Sequence, residues 1–192
     1  MNSETIKIKT DNSNLTEEQF FQICNLNKEL KFERDKNQNI CIMSPTGALT
    51  GNYHISITGR LWIWNENKKS GYIFDSSAGF TLPDNSVFAP DVAWISKNRW
   101  DIVPQEDKER FAHICPDFVI EVRSKTDSLK QQKQKMQEWL NNGCRLAWLI
   151  DFENKTSYIY KPKSDIIQQS FEQVLRGEDV LLGFELNLKE II

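Results

Sequence analysis

Two segments of the chain share one pattern, in which a Pro-Asp pair leads into a short apolar run. The first segment, residues 89–95, reads APDVAWI, and the second, residues 115–122, reads CPDFVIEV. The second places Glu121 between Ile120 and Val122. A buried carboxylate is costly unless a metal ion or a basic side chain compensates its charge. The pattern therefore predicts either a metal site or a buried ion pair at Glu121.

A second carboxylate, Asp91, stands at the start of the first apolar run. If the two runs are strands of one sheet, Asp91 and Glu121 can converge at its edge. Mg²⁺ binds one or two carboxylates and keeps several waters, which leaves room for a substrate phosphate. Asp91 and Glu121 are therefore the candidate metal ligands, with Mg²⁺ or Mn²⁺ as the expected cofactor.

Such a site also needs a general base or a positioning cation. Arg123 follows Glu121 by two residues and so lies on the same face of the strand. Lys135 and Lys133 flank the apolar stripe of the next predicted helix on opposite sides. Periodicity alone does not choose between these residues. The structural alternative, that Glu121 is only the buried partner of Arg123 or Lys135, also stays open.

These residues lie in longer segments that resemble the Uma2 family of restriction-type endonucleases, within the PD-(D/E)xK nuclease superfamily. The matching segments are MSPTG (43–47), FDSSAGFTLPDNS (74–86), APDVAWI (89–95), CPDFVIEVRS (115–124), the stretch 126–151 and LLGFELNL (181–188). The resemblance implies an α/β (α+β) fold with a restriction-endonuclease-like mixed central β-sheet flanked by helices. It also implies an active site where the strands diverge.

The resemblance assigns roles to individual residues. Asp91 and Glu121 become metal ligands, with the backbone carbonyl of Val122 as a third. Lys135 matches the position on the helix to which the active-site lysine is commonly displaced in this family. Arg123 occupies the strand position of the usual lysine, but arginine stays charged and is a poor proton acceptor. Lys135 is therefore favoured for catalysis, and Arg123 for pairing with a phosphate or a carboxylate. The implied reaction is hydrolysis of DNA phosphodiester bonds by metal-activated water, leaving a 5′-phosphate. Lys135 would orient or deprotonate that water.

One departure from the family pattern favours an alternative function. Relatives often carry Glu shortly after the SPTG segment, and Leu49 stands near that place here. A site that lacks this acid suggests a catalytically degenerate member that binds DNA or a protein without cutting. Many members of the superfamily act as dimers, so a homodimer is a further expectation.

The elements that must position these residues follow from hydrophobic periodicity. Residues 118–122 and 146–150 predict buried strands joined by a helix, which Asp127 caps and Gly143 closes after Asn142. This βαβ unit predicts a mostly parallel sheet. The other predicted elements are a helix opened by a Thr16–Gln19 capping box, strands at 30–34 and 40–44, an amphipathic stretch at 50–65, and short strands at 71–74, 79–82, 92–95, 157–160 and 170–175.

Composition sets the outer limits of these predictions. The 192 residues predict a single domain, with residues 1–14 as a flexible arm and a core from about residue 16. A net charge of −3 counts against strong non-specific binding to DNA, although a local basic face is compatible with it. The chain has neither an N-terminal apolar signal segment nor a run of about 18 apolar residues, which predicts a cytoplasmic protein without membrane partners. The four cysteines form no C-x-x-C pair, so we expect buried free thiols.

Overall fold

The structure, a computed structural model, describes residues 6–10 and 15–192. In chain order its elements are β1 (Ile6–Ile8), α1 (Glu17–Leu26), β2 (Lys31–Arg34), β3 (Ile40–Met43), α2 (Ala48–Lys68), β4 (Gly71–Asp75), β5 (Phe80–Thr81), β6 (Val87–Phe88), β7 (Val92–Ser96), α3 (Lys97–Asp101), α4 (Gln105–Lys108), β8 (Phe118–Arg123), α5 (Leu129–Asn141), β9 (Leu146–Asp151), β10 (Thr156–Tyr160), β11 (Ile167–Ser170), β12 (Leu175–Arg176), β13 (Glu185–Leu186) and a final 3₁₀ turn (Leu188–Glu190).

The central sheet has six strands in the order β11-β10-β9-β8-β7-β4. Strands β8 and β9 are parallel and are joined by α5, which confirms the predicted strand–helix–strand unit. The prediction of a mostly parallel sheet is wrong, since the other neighbouring pairs of this sheet are antiparallel. Parallel pairing needs a long crossover, and the short turn between β9 and β10 instead reverses the chain into a hairpin.

Helices cover the central sheet on both faces, because the side chains of each strand alternate between two apolar clusters. On one face Ile57 and Leu61 of α2 belong to the same cluster as Phe118, Ile120 and Val122 of β8. On the other face Met136 and Trp139 of α5 belong to the cluster of Val119. Glu121 follows Val119 by two residues and therefore lies on the α5 face. The fold is thus the expected mixed sheet flanked by helices.

A second sheet, in the order β1-β3-β2-β6-β5, stands beside the first and is built from the N-terminal part of the chain. Its hairpin β2–β3 and the Thr16–Gln19 capping box of α1 confirm the sequence predictions. Ile6–Ile8 lie within the predicted flexible arm, yet they form β1 and pair with β3. The remaining residues of that arm, 1–5 and 11–14, lie outside the described residues.

Two local predictions are wrong in position. The cap of α5 is Ser128, whose hydroxyl accepts from the amide of Gln131, whereas Asp127 accepts the amide of Ser124 in the preceding turn. The strand predicted at 170–175 is interrupted, because the amide of Gln173 closes a turn onto the carbonyl of Ser170. Gly143 does follow the end of α5 with φ of +106°, a conformation that glycine adopts without strain.

The structure also bears on the expected class of protein. Within residues 6–10 and 15–192, none of the helices combines the length and the apolar character that a membrane span requires. All four cysteines are free; Cys115 and Cys144 are buried, while Cys24 and Cys41 are partly exposed, contrary to the expectation that all would be buried.

Candidate active site

The register of the central sheet brings the two predicted carboxylates together. Val92 of β7 lies opposite Ile120 of β8 in an antiparallel pair, so the preceding Asp91 comes level with Glu121. Residues opposite one another in such a pair share a face of the sheet. Asp91, directly before β7, and Glu121 of β8 therefore lie side by side on one face of the sheet.

Asp91 is held in place by a backbone amide and approached by a histidine. Its Oδ2 accepts the amide N–H of Val122 at 2.7 Å, which ties the loop before β7 to β8. The Nε2 of His54, from α2, lies 3.5 Å from the same oxygen. Asp91 therefore lies between β8 and α2.

Glu121 receives two donors from consecutive turns of α5. Lys135 Nζ lies 2.9 Å from Glu121 Oε1, and the indole Nε1 of Trp139 donates to the same oxygen at 3.0 Å. Lys135 and Trp139 are four residues apart and so lie on one face of the helix. Glu121 itself is only 4% exposed. Of the two helix lysines that flank the apolar stripe, it is Lys135 that reaches the site, whereas Lys133 lies over the ring of Tyr158.

A third carboxylate, Glu33 of β2, was not anticipated from the sequence. Glu33 is buried; its Oε1 accepts from Lys135 Nζ at 2.9 Å and from the backbone amide of Ala89 at 2.9 Å. The second sheet therefore delivers an acid to the end of the central sheet. Leu49, near the place where relatives often carry Glu, is 64% exposed. The site accordingly holds three carboxylates without an acid at position 49.

The electrostatics of this cluster follow from one ammonium among three acids. Burial raises the pKa of Glu121 to about 7, and the charges of Asp91 and Glu33 add to that rise against the opposing effect of Lys135. Burial alone would lower the pKa of Lys135, but Glu121 and Glu33 raise it well above its ordinary value. The two shifts are compatible, because a single ammonium cannot neutralise every carboxylate around it.

The cluster opens onto a cleft of about 350 Å³. The cleft is lined by Asp91, Glu121, Val122 and Lys135, by His54 and Gln132, and by the segment 43–47 that leads into α2. His54 Nε2 and Gln132 Oε1 are buried without a hydrogen-bond partner among the described residues. Over the same residues, no three His, Cys, Asp or Glu side chains form a ready-made ligand group. Any metal bound here would need backbone or water oxygens beside Asp91 and Glu121.

Arg123 takes part in a different contact. Its guanidinium donates to the buried Asp151 of β9 at 2.7 Å and to the carbonyl of Asp127 at 3.0 Å. This is the carboxylate pairing predicted for Arg123, and it leaves Lys135 as the basic side chain in contact with Glu121. Arg123 ties the start of the α5 crossover to the neighbouring strand.

Replacing Arg123 with alanine is therefore expected to affect stability and not chemistry. The change leaves Asp151 buried without its cation, which costs about 3–5 kcal/mol of unfolding free energy. Urea denaturation measures the loss. Conversion of substrate per folded molecule should stay close to that of the unaltered protein. A large drop in activity at unchanged stability would place Arg123 in the chemistry instead.

Sequence reasoning missed Glu33, His54 and Trp139 as members of the cluster. Glu33 lies 58 residues before Asp91 and on another sheet, so no local spacing connects the two. Trp139 is part of the predicted apolar stripe, and its polar edge becomes relevant only when α5 lies over β8. His54 has no sequence signal beyond its residue type.

The fold and the site define a class of protein that comparison with known proteins makes explicit. The structure superimposes with a TM-score of 0.71 on the crystal structure of "a putative nuclease belonging to DUF820" from Anabaena variabilis ATCC 29413, covering 85% of this chain and 90% of the other at 18% sequence identity. At that identity the likeness shows the fold alone. The sequence model of the family Uma2, described as "Putative restriction endonuclease", matches residues 17–189. The chain belongs to the Uma2 family. No curated protein matches it.

Proposed function

We propose that this chain is a Mg²⁺- or Mn²⁺-dependent endonuclease that hydrolyses phosphodiester bonds of DNA and leaves a 5′-phosphate. The single observation that carries the proposal is the contact of Lys135 with Glu121, beside Asp91, in an open cleft. Family membership supports the nuclease class. The free thiols fit a reducing compartment such as the cytoplasm, where we propose that the enzyme works.

The residues of the cleft fit a divalent cation. Asp91 and Glu121 supply two oxygen ligands, the carbonyl of Val122 is the proposed third, and waters complete the set that Mg²⁺ prefers. The side-chain oxygen Oε1 of Gln132 is buried in the cleft without a hydrogen-bond partner among the described residues, so it can still accept a hydrogen bond. When bound, the metal supplies a more acidic water and a polarised phosphoryl oxygen.

The chain's own residues would orient and stabilise the reacting groups. Because its pKa is raised, Lys135 remains an ammonium, and its role is to hold the attacking water and to stabilise negative charge on the pentavalent phosphorus. This favours the orienting role expected for Lys135 over proton abstraction. The indole of Trp139 fixes the orientation of Glu121, and the amide of Val122 fixes that of Asp91.

The first experiment is cleavage of supercoiled plasmid by the purified protein in Mg²⁺ or Mn²⁺, beside Asp91→Asn. The asparagine can still accept the amide of Val122, so the fold is retained while a metal-binding charge is removed. We expect the unaltered protein to nick the plasmid when metal is present and not to nick it in chelator. The cleavage rate of Asp91→Asn should be at least about a hundredfold lower. Asp179→Asn, an exposed site remote from the cleft, is the matched control and should cleave normally.

Absence of cleavage by the folded protein in either metal would refute the nuclease proposal. The alternative, a degenerate family member that binds DNA or a protein, would then be measured directly by plasmid and oligonucleotide retardation. Equal cleavage by the unaltered protein and Asp91→Asn would leave a nuclease but remove Asp91 from its site.

A further inference from the structure

The inward face of α2 carries a histidine at a position that would suit an apolar residue. His54, Ile57 and Leu61 follow one another at intervals of three and four residues, so they share one face of the helix. Ile57 and Leu61 are fully buried against the central sheet. His54 begins this stripe, at the end of α2 that lines the cleft. A polar side chain at such a position is normally paired, because a buried polar atom without a partner costs free energy.

The two polar residues of this stripe differ in their pairing. Asn65, at the other end, donates to the carbonyl of Gly71 and accepts the indole N–H of Trp94. The Nε2 atom of His54, in contrast, is buried and has no hydrogen-bond partner among the described residues. Because His54 lines the cleft, this ring nitrogen is available to a ligand that enters there.

The position of Asp91 makes the unpaired nitrogen unfavourable unless a cation is present. Nε2 lies 3.5 Å from Asp91 Oδ2, beyond the usual N–H···O length of about 2.7–3.2 Å. If the nitrogen carries a proton, that proton makes no hydrogen bond; if it carries a lone pair, the lone pair faces a carboxylate. A metal ion bound to both atoms removes either difficulty. Ligand atoms about 2.1 Å from one ion are about 3.0–3.4 Å apart at angles of roughly 90–110°, close to the observed separation.

The imidazole and the ammonium of the site come from opposite faces of the central sheet. His54 belongs to α2 and Lys135 to α5, and these two helices cover different faces. Lys135 Nζ contacts Glu121, whereas His54 approaches Asp91. A cation that enters next to Asp91 therefore meets the imidazole and not the ammonium.

We infer that His54 is a direct ligand of the metal ion, beside Asp91, and that the site therefore takes a first-row transition ion such as Mn²⁺ in preference to Mg²⁺. Mg²⁺ is bound mainly by oxygen ligands, whereas transition ions accept an imidazole nitrogen. The inference rests on the metal site of the proposed function and narrows its cofactor. Asp91, Glu121 and the carbonyl of Val122 keep the places proposed for them.

The test is the binding of metal alone, measured by titration calorimetry on the purified chain at pH 8, above the raised pKa of Glu121. The unaltered protein is expected to bind Mn²⁺ with a Kd at least about tenfold below its Kd for Mg²⁺. His54→Gln offers an oxygen in place of the nitrogen on a side chain of similar length. Its Kd for Mn²⁺ should rise at least about tenfold and its Kd for Mg²⁺ less than about threefold, so that the preference is lost.

His113→Gln is the matched control, because His113 is the other histidine of the chain and pairs with Glu17 and Asp107. This variant should bind both ions as the unaltered protein does. Pulsed electron paramagnetic resonance of bound Mn²⁺ provides a second measurement, which needs no variant to detect a nitrogen bonded to the ion. We expect this nitrogen coupling in the unaltered protein and in His113→Gln, and not in His54→Gln.

Three results would overturn the inference: no metal binding, an unchanged ratio of the two Kd values in His54→Gln, or bound Mn²⁺ without nitrogen coupling. Thermal melts establish that each variant is folded, and the resonance of the unaltered protein decides the point if His54→Gln is not. Because no DNA is present, this failure is distinct from failure of the nuclease proposal. A protein that cleaves DNA without a nitrogen bonded to its metal ion would be a nuclease with His54 outside the metal site.

Discussion

Exchange of Glu121 for glutamine is expected to abolish cleavage while making the metal-free protein more stable at neutral pH. Glutamine has the shape of glutamate and can still accept the Trp139 indole, but it lacks the charge that a divalent cation requires. We expect the cleavage rate to fall by at least about a thousandfold. The stability gain arises because ionised Glu121 is buried among other acids.

The pH dependence of that gain follows from the direction of the pKa shift. The pKa of Glu121 rises from its ordinary 4.5 to about 7 in the folded state, so folding favours the protonated acid. The contribution of protonated Glu121 to the free energy of unfolding is therefore complete below about pH 4.5, and it is lost as the pH rises through 7. Relative to the unaltered protein, Glu121→Gln should be equally stable near pH 4.5 and more stable at pH 8, by on the order of 2–3 kcal/mol.

Urea denaturation between pH 4.5 and 8 in chelator measures this difference, and plasmid cleavage measures the activity. Glu106→Gln, an exposed acid on α4, serves as the control and should follow the unaltered protein at every pH. Added Mg²⁺ should narrow the gap at pH 8, because it stabilises only the protein that binds it. A stability difference that does not change with pH would contradict the assigned burial of charge.

Replacement of Lys135 by methionine is the second change with a large expected effect, and it should harm both stability and activity. Methionine fills the space beneath the ring of Phe88 but leaves Glu33 and Glu121 without their shared cation. Removing one partner of a buried ion pair costs about 3–5 kcal/mol at neutral pH. Loss of the positioned ammonium should slow cleavage by about 10²–10³-fold.

The control for Lys135→Met is Lys133→Met, two residues earlier on the same helix. Lys133 lies over the ring of Tyr158, away from the cleft, so its removal should leave the cleavage rate nearly unchanged. Activity is compared per folded molecule, with the folded fraction taken from circular dichroism at the assay temperature. Undiminished cleavage by Lys135→Met, or an equal loss in both variants, would remove Lys135 from the proposed mechanism.

Much of the central sheet was predictable, because its strands carry their own signals. The apolar runs at β7, β8 and β9 are short and bounded by Pro, Asp or Gly, and the stripe of α5 has helical spacing. The repeated Pro-Asp motif pointed to Asp91, and the polar residue in an apolar strand pointed to Glu121. Both signals depend only on neighbouring residues, so they can be recognised in a single sequence.

Contacts between distant segments were not predictable in the same way. In the sequence, Glu33 looks like an ordinary glutamate of a strand. Only the pairing of β2 with β6 brings the Glu33 side chain to the backbone amide of Ala89. The direction in which β7 pairs with β8 was not visible either, because an apolar run looks the same in a parallel and in an antiparallel pair. The choice between Lys133 and Lys135 likewise depends on the rotation of α5 over the sheet, which Met136 and Trp139 determine through packing.

Each acid of the site is also bound to a particular N–H group, and this makes the cluster observable one residue at a time. The amide of Val122 donates to Asp91, the amide of Ala89 to Glu33 and the indole of Trp139 to Glu121. Proton–nitrogen correlation spectra resolve such groups individually, with indole signals apart from amides. A titration with Mg²⁺ in the absence of substrate would then show which of the three carboxylates binds the metal ion first.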